Sequence, residues 1–143
     1  MKKFNIIIVV ALATAAIYTQ KLPLDWFSAS AQNTGSTLQQ AFEQQQSDLQ
    51  LEDEGIVIKL LPDDLKGSRH QRFIVKLDHG QTVLVAHNID LADRVAQLKK
   101  GDRVAFNGEY EWNSKGGVIH WTHHDPAGRH VNGWLKHQGK TYQ

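Results

Sequence analysis

From Gly55 to the C-terminus, apolar and polar residues alternate with a period of two, the pattern of half-buried strands. Ile56 to Leu61 is apolar and β-branched, and Pro62-Asp63-Asp64 ends it. Arg72 to Leu77 puts Phe73, Val75 and Leu77 on one face. Asp78-His79-Gly80 turns the chain, and Gln81 to His87 returns with Val83, Val85 and His87 aligned, which predicts a β-hairpin. Asp102 to Trp112 is the clearest strand. Val104, Phe106, Gly108, Tyr110 and Trp112 share one face, and Arg103, Ala105, Asn107, Glu109 and Glu111 share the other. After the Asn113–Gly117 turn, Val118 to His123 reads as a fifth strand, and Gly133 to Tyr142 as a last strand or hairpin. Between the third and fourth strands Asp90 caps a short expected helix, with Leu91, Val95 and Leu98 on one side and Gly101 as its stop.

Three strands, a helix and two strands is the order of an OB-fold. The expectation is therefore a mainly β protein, a small five-stranded OB-like barrel with one short helix between strands 3 and 4. An open sheet with one packed helix is the other arrangement. Residues 55–143 are enough for one modest core.

The first 54 residues break the period. Lys2 and Lys3 precede a 13-residue apolar run from Ile6 to Tyr18, too short for an ordinary membrane span and suited to a signal peptide. Ala29-Ser30-Ala31 supplies a small-x-small cleavage pattern. Residues 1–31 thus read as a signal peptide or an N-terminal anchor, with residues 4–18 as the inner-membrane tether if uncut. Residues 32–54 are glutamine-rich. Ser36 or Thr37 caps a short helix carrying Leu38, Phe42 and Leu49, expected as a spacer or light packing element.

Charge separates the same segments. Residues 32–54 hold five acids and no Lys or Arg, whereas residues 55–143 hold 13 Lys and Arg against 9 Asp and Glu. The globular part is mildly basic, less so than dedicated nucleic-acid binders. With no cysteine, neither a disulfide-linked partner nor thiolate chemistry is available. The leader places the rest of the chain in the periplasm, free or anchored to the inner membrane and facing the periplasm.

Chemistry concentrates in His120-Trp-Thr-His123-His124-Asp125-Pro-Ala-Gly-Arg-His130, which holds four of the eight histidines. On a straight strand His120 and His124 lie roughly 13 Å apart. That is too far for one zinc, whose ligands stand about 2.1 Å away. Pro126 and Gly128 break the strand, so His123, His124, Asp125 and His130 are the candidate ligands of a divalent metal such as zinc. His70, Glu109 and His123 are the catalytic candidates. Glu109 and Glu111 share a strand face and can hold a cation or shift each other's pKa; a solvated face is the commoner fate of such a pair. Arg69, Arg72, Trp121, His123 and Trp134 are the ligand-binding candidates, with guanidinium groups for an anion and indoles for a sugar or base. There is no HExxH, no GxSxG and no phosphate-cradling glycine loop.

Arg69-His70-Gln71-Arg72-Phe73-Ile74-Val75, Val85-Ala86-His87-Asn88-Ile89-Asp90-Leu91-Ala92 and the run from His120 to Trp134 together resemble the domain of unknown function 3465 family of small exported bacterial proteins. The resemblance covers roughly residues 52 to 143. It implies that His70, His87, His120, His123, Asp125, His130 and Trp134 belong to one domain pattern, and it carries no activity. A weaker likeness, of fold alone, is to secreted nucleases on the same barrel.

Three functions are consistent with these residues. The first is an exported module binding an anionic or sugar-like ligand, a nucleic acid or an envelope saccharide. The second is a metal-dependent hydrolase of phosphodiesterase or nuclease type, using the His/Asp cluster. The third is a structural or envelope-stress protein without a small ligand.

Overall fold

The computed structural model describes residues 34–143, so the leader expected over residues 1–31 lies outside the described range. Among the described residues no helix is long and apolar enough to cross a membrane. Among the described residues, one helix, α1 (Thr34–Glu43), precedes seven strands: β1 (Leu49–Asp64), β2 (His70–Leu77), β3 (Thr82–Asn88), β4 (Arg103–Glu111), β5 (Val118–His120), β6 (Trp134–His137) and β7 (Lys140–Tyr142). The protein is mainly β, as its alternation predicts.

The strands form one sheet in the order β1-β2-β3-β5-β4-β6-β7, and β1 also pairs with β4. That extra pairing closes five strands into a ring. β1 closes it by serving two partners in succession, β4 from Leu49 to Ile56 and β2 from Gly55 to Asp64. The changeover falls at Gly55, where a Cβ would lie 2.3 Å from the Lys76 carbonyl oxygen, so only glycine lets the strands approach this closely. β5 joins β4 antiparallel and β3 in parallel. The β6–β7 hairpin adds to the first half of β4, outside the ring.

The core fills the ring. Phe73, Val85, Val104, Phe106, Tyr110 and Ile119 are all fully buried, each from the inward set of its strand. Each such side chain contributes about 1.5–3 kcal/mol through burial. Leu38 and Ala41 of α1 are also fully buried in this core. Of the two roles expected for it, spacer or packing element, the helix takes the second. Trp112 helps fix it, its indole Nε1–H donating to the Phe42 carbonyl at 3.0 Å.

Two expectations are corrected. Residues 49–54, expected within the spacer, form the first part of β1, with Leu51 and Asp53 facing inward. Burial raises the pKa of Asp53, partly offset by a backbone hydrogen bond from Glu54. The helix expected over Leu91–Leu98 is a series of turns. Side chains from elsewhere take its backbone groups. Gln71 binds both Val95 N–H (2.8 Å) and Val95 C=O (3.1 Å), His87 Nε2 meets the Asp93 carbonyl (2.9 Å), and Ala96 N–H donates to Tyr142 Oη (3.2 Å). Asp90 accepts from Arg69 instead of capping a helix. Two turns of helix are too few to outweigh these partners.

Candidate metal centre

β4 carries Glu109 and Glu111 on its outward face, and the β4–β5 register sets His120 opposite Glu109. His120 Nε2 lies 3.3 Å from Glu109 Oε1 and 3.7 Å from Glu111 Oε1. The donor atoms of these three residues all lie within 4.8 Å of one another. In a tetrahedral site with bonds near 2.1 Å, ligand atoms stand about 3.4 Å apart. The observed spacings therefore suit one divalent ion with little movement. His120 Nε2 is buried and, among the described residues, makes no hydrogen bond, although both carboxylates stand close by. Imidazole nitrogen and carboxylate oxygen together suit zinc, manganese or a similar ion.

Like charges crowd the same spot. Burial and the neighbouring Asp48 carboxylate raise the pKa of Glu111. Glu109 goes the other way: burial would raise it, but the His130 hydrogen bond and the nearby imidazoles hold it below its ordinary value. On the flanking strand β1, Gln50 stands opposite Glu109 and Glu52 opposite Asn107. Gln50 donates to Asn107, and Asn107 donates to Glu52 at 3.4 Å. This face is acidic and polar, and its charge suits a cation better than an anion.

The segment after β5 is shaped around the cluster. Trp121 has φ of +55°, a conformation a bulky residue adopts at a cost of about 1–3 kcal/mol. It ends β5 at His120, short of the His123 expected from sequence, and buries Thr122 and His123. The Trp121 ring stacks on His130 at 4.1 Å and 7°. His130 Nε2 hydrogen-bonds Glu109 Oε2, and His130 Nδ1 lies 2.7 Å from the Val131 carbonyl oxygen. A carbonyl and a carboxylate oxygen only accept, so both ring nitrogens face acceptors, an arrangement that favours the protonated ring. Burial lowers its pKa, but the Glu109 bond and charge outweigh that and leave it raised.

Of the loop residues expected as ligands, Asp125, His123 and His130 make other contacts, and His124 is exposed. Asp125 accepts backbone N–H groups of Ala127 (2.9 Å), Arg129 (2.8 Å) and His130 (2.9 Å), which hold its pKa low. His123 is buried with Nδ1 on the His124 carbonyl at 2.7 Å, and His124 is exposed. The structure thus brings His130 to Glu109 but leaves His123, His124 and Asp125 out of the cluster. His70, a catalytic candidate, lies at the start of β2 opposite Asn88, with Nδ1 on the Ser68 carbonyl.

The five ligand-binding candidates do not share one set of contacts. Arg69 pairs with Asp90 at 2.7 Å, and Arg72 donates twice to the Pro62 carbonyl. Trp121 is stacked on His130, and the His123 ring lies 5.2 Å from it. Trp134 stands opposite Asn107 on the outer face and carries the Lys136 ammonium 4.1 Å above its ring. Parity along the strand places Glu109 and Glu111 together but leaves out His120. The hairpin register held that signal, since folding the chain about the Asn113–Gly117 turn sets residue 120 against residue 109.

A family model described as "Protein of unknown function (DUF3465)" matches residues 21–143, beginning upstream of the motifs that suggested the family. No curated protein matches this chain. The family model spans most of the chain, including every strand of the sheet and the whole cluster, and the chain belongs to this family.

Proposed function

We propose that this protein is an exported OB-type domain that works through one divalent cation held by Glu109, Glu111 and His120, and that it is a metal-dependent hydrolase of phosphodiester substrates. The observation that carries this reading is the convergence of two carboxylates and a hydrogen-bond-free imidazole nitrogen on one strand pair. Three protein ligands leave a fourth position for water, whose pKa a divalent ion lowers toward neutrality. The same ion draws an anionic group onto a face that is otherwise acidic. This joins the anionic ligand expected from sequence to the metal expected from sequence.

The OB assignment is supported by the ring order β1-β2-β3-β5-β4 closing on β1. Export, to the periplasm or to an inner-membrane tether, is supported by Lys2, Lys3 and the apolar run from Ile6 to Tyr18. A binding module gripping an anion directly through Arg69 and Arg72 is less favoured, because both guanidinium groups are engaged within the fold.

The test is hydrolysis of a phosphodiester chromogenic ester and of a short oligonucleotide by tag-free protein loaded with Mn²⁺ or Zn²⁺. The expected result is turnover that a chelator and His120→Ala each abolish. Turnover indifferent to both would sink the proposal, as would a metal-loaded protein inert toward every phosphodiester tried.

A further inference from the structure

His130 fell among the expected metal ligands, but its geometry gives it another task. A ligating imidazole needs one bare nitrogen. Both nitrogens of His130 already face acceptors, Glu109 Oε2 on one side and the Val131 carbonyl on the other. Neither lone pair is free. What the ring does instead is fix Glu109: with Oε2 held by His130, Oε1 is the atom left facing His120 Nε2 at 3.3 Å and the gap shared with Glu111.

The ring is held in turn. Trp121 stacks on it in near-parallel contact, 4.1 Å between centroids, and fixes its plane. Asp125 gathers the N–H groups of Ala127, Arg129 and His130, which fixes the turn that delivers His130 to the strand. Asp125, His130 and Glu109 form a relay of positioning contacts that ends at the cluster. Carboxylate ligands of metals are commonly held this way by outer partners.

We propose that His130 is a positioning residue for the metal centre, holding the Glu109 carboxylate in its ligating orientation without itself binding the ion. This rests on the metal-site reading above. It also accounts for Asp125 and His130 within the His-rich segment, the first shaping the loop and the second aiming the ligand.

The experiment is titration of the full-length protein, without a His-tag, with Co²⁺ and Zn²⁺ alone, following Co²⁺ absorption bands and affinity by calorimetry. Variants are His130→Ala, His130→Phe and His130→Gln, each checked for folding by circular dichroism and melting. His130→Phe keeps a ring against Trp121 and removes the donor, and His130→Gln restores an N–H donor near the Nε2 position. The expected result is affinity about 10–100-fold weaker in His130→Ala and His130→Phe. Affinity should recover in His130→Gln, with Co²⁺ band positions and intensities unchanged in all of them. A structural role alone would lower melting without weakening metal binding in folded protein, and that outcome overturns the proposal. Altered Co²⁺ bands with no rescue by glutamine also overturn it, because His130 is then a ligand. A wild-type protein that binds neither ion removes the metal site itself, and the positioning role with it.

Discussion

Two histidines in one small domain meet opposite fates. His87 ends up at the end of β3 with no exposed surface. Its Nε2–H donates to the Asp93 carbonyl at 2.9 Å, and its Nδ1 accepts from Thr122 Oγ1 at 2.8 Å. Burial pushes its pKa down to about 4, with His123, His70 and Arg94 adding to that and the Asp93 bond opposing it. His120 stands on the outer face, partly exposed, its Nε2 between two carboxylates with no aligned hydrogen bond. The difference separates a structural imidazole from the one on which the proposed metal site rests. An imidazole with both nitrogens satisfied and no charge is part of the frame, tying the turns before β4 and the segment after β5 to β3. An imidazole with an idle nitrogen beside carboxylates is poised for a cation. Residue type alone does not distinguish them; partners and burial do.

Breaking the buried side of this comparison has the largest expected effect. His87→Ala leaves the Asp93 carbonyl and the Thr122 hydroxyl without partners and opens a cavity, and we predict a loss of about 4 kcal/mol in urea unfolding. The native protein itself should show the acid form of the same effect. The folded pKa of His87, about 4, lies below its ordinary 6.5, so protonation favours the unfolded chain. Its contribution is complete above pH 6.5 and is lost as pH falls toward 4, by roughly 3 kcal/mol over that window. A stability profile flat between pH 6.5 and 4 after subtracting the carboxylates, or a profile unchanged in His87→Gln, would contradict this.

Between the two regions lies Gly108, where a Cβ would meet the His120 carbonyl oxygen at 2.4 Å and Ile119 Cγ2 at 2.8 Å. Gly108→Ala must push β5 away from β4. We predict about 2 kcal/mol of destabilisation, together with weaker metal binding as His120 moves off Glu109; calorimetry with Zn²⁺ checks both. The smallest effect on stability belongs to the outer face. His120→Ala changes an outer-face residue and should shift unfolding by only about 0.5 kcal/mol, while abolishing the proposed metal binding.

Much of the fold was legible because it is written locally. Val104, Phe106, Gly108 and Tyr110 alternate with Ala105, Asn107 and Glu109, and that strand lies where the period puts it. The first half of β1 was hidden by Glu52-Asp53-Glu54, an acidic run that resembles solvent-exposed chain although Asp53 turns inward. The turns over Leu91–Leu98 carry a helical spacing in sequence, because the groups that satisfy them, Gln71, His87 and Tyr142, are distant along the chain. The site was half legible for the same reason. Parity places Glu109 and Glu111 together, but only the hairpin register adds His120. The histidine-rich loop drew attention by composition, whereas the positive φ of Trp121 and the backbone grip of Asp125 decide which imidazole reaches β4.

The most direct test compares the two places where a metal was expected. Full-length, tag-free protein is incubated with Zn²⁺ or Mn²⁺, desalted and subjected to elemental analysis, alongside His120→Ala, Glu111→Gln and His124→Ala. The account predicts near one ion per chain in the wild type and in His124→Ala, and loss of the ion in His120→Ala and Glu111→Gln. An ion retained without His120 and Glu111, or one lost with His124, would place the metal in the loop and contradict the outer-face centre.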